Sequence, residues 1–181
     1  MRAMSTSETD NLLNPLGLKI GNWKELVNAS DRTFGHRAFR PVRDALGMYA
    51  VSTHLLQWIG QQGWKILQID NSTAPTRDEI NVFEKLAFSP REHWSVSEQR
   101  SFLFGDESID LLAQEQTTLT LIIYFSLVFE WHVHLVSERS ATRRHVGIQD
   151  GTIYFYGDTK ALEEAHTLVS SLEQNPFHIS E

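Results

Sequence analysis

Between Leu119 and Val136 every odd position is apolar: Leu119, Leu121, Ile123, Phe125, Leu127, Phe129, Trp131, Val133 and Leu135. That two-residue period, unbroken by Gly, Pro, Asn or Asp, predicts one long β-strand with a buried face, or two strands in phase joined by a bend or bulge. No other feature limits the fold so strongly. Asp150-Gly151 then stands between His145–Gln149 and Thr152–Tyr156, and this dipeptide supplies the positive φ angles of a two-residue type I′ hairpin. A last helix is predicted from Asp158 or Thr159. It is acidic at Glu163 and Glu164, buries Leu162, Ala165, Val169 and Leu172, and ends before Pro176. The C-terminal half reads as an antiparallel sheet covered by a final helix.

The N-terminal half reads as more helical. Pro41 suits a first helical turn, and Val42, Ala45, Leu46, Tyr49, Thr53, Leu56 and Ile59 form one stripe at three- and four-residue steps. Trp58 lies off that stripe, and Gly60 and Gly63 stop the helix. Trp64–Ile69 is predicted as a strand, and Thr76 with Glu79 as a capping box for a second helix carrying Ile80, Phe83, Leu86 and Ala87. Ser101–Phe104 reads as a further strand, Ile109–Ala113 as a helical turn, and Trp23–Val27 as a short helix capped by Asn22 and Glu25. Residues 1–10 are polar and expected to be a flexible tail. Residues 11–181 are expected to form a single α+β domain, since 181 residues with 41% hydrophobic content suffice for one core.

With no cysteine in the chain, disulfides, thiolate metal sites and a cysteine nucleophile are excluded. The polar N-terminus lacks the apolar segment of a signal peptide, so a cytoplasmic location is expected. Glu130, His132 and His134 interrupt the apolar run, so no membrane span is expected. Sixteen Lys and Arg against 23 Asp and Glu give a net charge of −7. That balance lacks the basic footprint of a nucleic-acid binder and favours encounter with a basic protein partner.

Two constellations bear chemistry. His132 and His134 are two apart, which on a strand puts both on one side about 7 Å apart, within reach of one metal ion. Glu130 shares that side and His145 begins the next strand. With Glu138, the pair resembles part of the first cupin metal motif. However, Ser126 stands where that motif has glycine, its following glycine is displaced to Gly147, and no second motif precedes the last helix. The histidines are therefore expected to be polar residues of a partly solvated sheet face, with no metal and no cofactor.

The second constellation is Arg32, Arg37, Arg40 and Arg43 with His36, interleaved with Phe34 and Phe39. Guanidinium forks suit phosphate or carboxylate oxygens, so the stretch can serve an anion, a nucleic-acid backbone or an acidic patch, or pair internally. Trp58, Trp64, Trp94, Trp131 and Tyr154–Tyr156 read mostly as core.

No nucleophile elbow, zincin pair, Walker loop or dinucleotide fingerprint is present, so no catalytic residue is assigned. The leading expectation is a small non-enzymatic intracellular protein that binds a protein partner, as an immunity protein, an antitoxin or a dedicated chaperone does. Its contact residues would be Arg37, Arg40, Arg43, Tyr124, Glu130, His132 and His134. The alternatives are a subunit of a nucleic-acid-handling complex contacting phosphates through Arg32–Arg43, and a metal-dependent enzyme centred on His132 and His134.

Overall fold

The structure, a computed structural model, describes residues 2–21, 26–28, 35–41, 43–60, 63–70, 76–79, 101–105, 113–137 and 144–174. Its strands are Arg2–Met4 (β1), Leu18–Ile20 (β2), Leu26–Asn28 (β3), Gly35–Phe39 (β4), Lys65–Ile69 (β5), Ser101–Phe104 (β6), Val133–Ser137 (β7), His145–Gln149 (β8) and Thr152–Gly157 (β9). The helices are Thr6–Leu13 (α1), Ala45–Ile59 (α2), Ala113–Val128 (α3) and Thr159–Gln174 (α4). Among the described residues, seven strands form one antiparallel sheet in the order β1-β6-β5-β7-β8-β9-β4, and β2 pairs with β3. This is a mixed α+β fold with α4 packed on the sheet.

One face of the sheet carries Leu67, Phe102, Val133, Leu135, Val146, Ile148, Ile153 and Phe155, which form a single core with α2, α3 and α4. On the other face, at the β1 end, Met4, Ile66 and Val136 pack against Leu13, Leu18, Ile20 and Trp64.

The long strand does not form. Residues 113–128 are helix α3, residues 129–132 turn, and only Val133–Ser137 is strand. The odd-position alternation is real, but the even positions Ile122, Tyr124 and Val128 are apolar too, so between residues 119 and 128 the segment is apolar nearly all round. A helix enclosed on most sides looks like that. Leu119, Thr120, Ile122, Ile123, Phe125, Ser126 and Leu127 are all buried. The hydroxyls inside this helix donate to carbonyls one turn back, Thr118 to Gln114 at 2.9 Å and Ser126 to Ile122 at 2.7 Å. Its C-terminus is closed by Glu130 in the left-handed region (φ 57°) with the Trp131 N–H donating to the Ser126 carbonyl at 3.0 Å. That six-residue return bond is a Schellman closure, here made without glycine.

Other expectations shift. Residues 2–4 pair with β6 and residues 6–13 are helical, with Ser5 and Glu8 forming a capping box, so the N-terminus is structured rather than a tail. Leu26 and Val27 lie in β3, not in a helix. Helix α2 starts after Asp44, whose Oδ1 accepts from the Gly47 N–H at 2.7 Å, and not at Pro41. Its buried side chains include Ala50, Val51, Leu55, Leu56, Trp58 and Ile59, so Leu56 and Ile59 of the expected stripe are buried, while Leu46 and Tyr49 face outwards.

The Asp150-Gly151 hairpin (φ 50° and 68°) forms as expected, as do β5, β6 and α4 with its Asp158 cap. Thr76 and Glu79 make their reciprocal capping bonds, and Glu79 also accepts from the Trp131 indole N–H at 3.2 Å. Residues 22–25, 32, 34, 42, 80–87, 94, 109–112 and 138, on which other expectations rest, lie outside the described residues.

Candidate functional site

The expected site residues fall into separate places. Arg43, Glu130 and His132 come together at one corner. The Arg43 Nη2 donates to the Glu130 Oε1 at 2.5 Å, and the His132 Nε2 lies 2.9 Å from the Asp150 Oδ1. Gly151 sits beneath: a Cβ there would come 3.2 Å from the Arg43 Nη2. The start of α2, the end of α3 and the β8–β9 turn are thereby clasped, which is a fastening role for the pair of ionic contacts.

A groove runs between α2 and α3. It encloses about 400 Å³ and is lined by Tyr49, Thr53, Leu56 and Gln57 on one side and Ala113, Gln116, Thr117, Thr120 and Leu121 on the other. Tyr124 meets Tyr49 edge-on, with centroids 6.4 Å apart. Leu46 is 63% exposed, Tyr49 46% and Val128 38%, and these are the large apolar side chains most open to solvent among the described residues. They sit on the helices that form the groove.

His134 lies elsewhere. Residues opposite one another on paired strands share a face, so His134 stands in a row with Ser101, Gln68, Gly147, Tyr154 and Ala38. Its ring leans over Gly147, where a Cβ would approach the His134 Nδ1 to 3.2 Å. The adjoining row holds His145, Tyr156 and His36. His145 is buried and stacked on Tyr156. Burial first, and then the neighbouring His134, push its pKa down to about 3. Burial, with Tyr154 second, raises the Tyr156 pKa. His132 and His134 therefore turn to different partners, and among the described residues no group of three His, Asp or Glu is placed to hold a metal ion.

Arg37 and Arg40 are exposed on and just beyond β4, the last strand of the sheet. Sequence reasoning missed the outward turn of Leu46 and Tyr49, because a stripe at helical spacing does not say which stripe meets the core. It also missed the buried polar residues of the sheet. Lys65, fully buried, donates from Nζ to the Gly63 carbonyl at 2.9 Å, and the Ser101 hydroxyl donates to the Gln68 Oε1. No local signal separates these from solvated strand residues.

Comparison with family models, curated proteins and solved structures found no match for this chain. No helix among the described residues is long and apolar enough to cross a membrane.

Proposed function

We propose that this chain is a binding protein that seats a protein partner along the α2–α3 groove. The observation that supports this reading is the outward display of Leu46 and Tyr49 beside an open, half-apolar groove. Apolar side chains on a rim with adjacent polar groups are the composition of an interface centre. Tyrosine supplies large contact area with few torsions to freeze on binding. An immunity protein, antitoxin or dedicated chaperone acts through such a surface without chemistry of its own.

The test is site-specific photocrosslinking in the cell of origin. A benzophenone side chain is placed at Tyr49 and, as a control, at the exposed hairpin residue Gln149. One dominant adduct at Tyr49 that is absent at Gln149, and lost when Leu46→Glu is added, is the expected result. Equal labelling at both positions, or no adduct at Tyr49, overturns the reading.

A further inference from the structure

A second surface, separate from the groove, has its own chemistry. Strand β4 ends the sheet: its inner edge pairs with β9, and its outer edge pairs with no other described strand. Such an edge presents a row of backbone N–H and C=O groups suited to another strand. His36, Arg37 and Ala38 are each exposed, so the edge is open on both faces of the sheet.

The side chains that flank it are cationic. Arg37 points to the helix-covered face, in register with Phe155, while His36 and Ala38 alternate to the opposite one, and Arg40 follows the strand, exposed. The chain has more carboxylates than cations, and Arg43 and Arg144 use two of them, pairing with Glu130 and Glu164. Among the described residues neither Arg37 nor Arg40 makes an ion pair.

We propose that the outer edge of β4 takes up an acidic, extended peptide segment as an added strand, with Arg37 and Arg40 pairing with its carboxylates. Strand addition supplies affinity through main-chain hydrogen bonds, and the alternating side chains supply selectivity. Charge complementarity chooses this occupant over two others. A second copy paired antiparallel about Arg37, the middle residue of β4, sets like charges opposite each other. A single-stranded nucleic acid meets the arginines but brings no peptide groups to the open edge.

The experiment is an amide-resolved NMR titration of the full chain with three probes: a short peptide of alternating Glu and Thr, the same peptide with Lys for Glu, and a short oligothymidylate. The expected result is that the Glu peptide shifts the amides of residues 35–39, and that Arg37→Glu with Arg40→Glu weakens this by roughly tenfold or more. An unchanged thermal midpoint in that variant shows that folding is intact, and Arg37→Ala with Arg40→Ala gives an intermediate loss. No shift with the Glu peptide, an equal response to the Lys peptide, or a stronger one to oligothymidylate overturns the proposal. Leu46→Glu leaves this titration unchanged, so failure here and failure of the α2–α3 groove as a partner site are told apart.

Discussion

The His145 imidazole lies flat on the Tyr156 ring, with centroids 4.2 Å apart and planes within 7°, on directly paired residues of β8 and β9. Burial holds the imidazole neutral, with a pKa lowered to about 3. In the unfolded chain a histidine titrates near 6.5. As pH falls through that value the unfolded state binds a proton that the native state refuses. Stability contributed by His145 is therefore present above about pH 6.5 and lost on acidification towards 3, by about 1.4 kcal/mol per pH unit. Denaturant melts of wild type and His145→Phe between about pH 7 and 5 are expected to diverge, with the wild type falling more steeply. Parallel curves would show that the ring is accessible to protons.

Glu130 closes helix α3 in the left-handed region, φ 57°, where a side chain costs about 1 kcal/mol or more. Its ion pair with Arg43 is between largely exposed groups and contributes at most about 1 kcal/mol. Glu130→Gly is expected to be neutral to stabilising by about 0.5–1 kcal/mol, read from the urea midpoint. Glu130→Val, branched and without the pair, is expected to lower stability by more than about 1 kcal/mol.

Gly147 leaves room for two rings. A Cβ there would meet the His134 Nδ1 at 3.2 Å and the Tyr156 Cε2 at 3.3 Å. In an open strand Gly→Ala stabilises, but here the rings must give way inside a packed row. Gly147→Ala is expected to cost about 1–3 kcal/mol and to shift the ring resonances of His134 and Tyr156. A gain in thermal midpoint would show that the rings move freely.

Arg144 performs three tasks with one planar group. It donates to the Trp58 carbonyl at 2.8 Å, pairs with Glu164, and lies over the Trp58 ring at 5.2 Å, linking the end of α2 to α4. Arg144→Ala is expected to destabilise by about 2–3 kcal/mol. Lys at this position recovers less than half of that loss, because an ammonium has no fork and no flat face. Full recovery by Lys in a chemical melt would reduce the role of Arg144 to charge alone.

The hairpin and the last helix were legible because their signals are local. Asp150-Gly151 meets a backbone requirement within the turn itself, and Asp158 caps through a bond to Ala161 three residues on. The candidate surfaces were legible only in part. The exposure of Arg37, Arg40 and Arg43 followed from residue type, whereas the clasp of Glu130 on Arg43 spans 87 residues of chain. Nothing near either residue announces the other.

By itself the sequence determined the α+β class, the cysteine-free core, the position of α2 to within a turn, the capping box at Thr76 and the β8–β9 hairpin. Only the tertiary structure decided that residues 119–128 coil rather than extend. Both conformations bury Leu119, Ile123, Phe125 and Leu127, but here the segment packs against α2 within the core that covers one face of the sheet. There Ile122 is buried too, and Thr118 and Ser126 satisfy their hydroxyls on their own backbone. A solvated strand face would have left part of that apolar surface in water. The two-residue period recorded which residues are apolar, and the surroundings set how they are arranged.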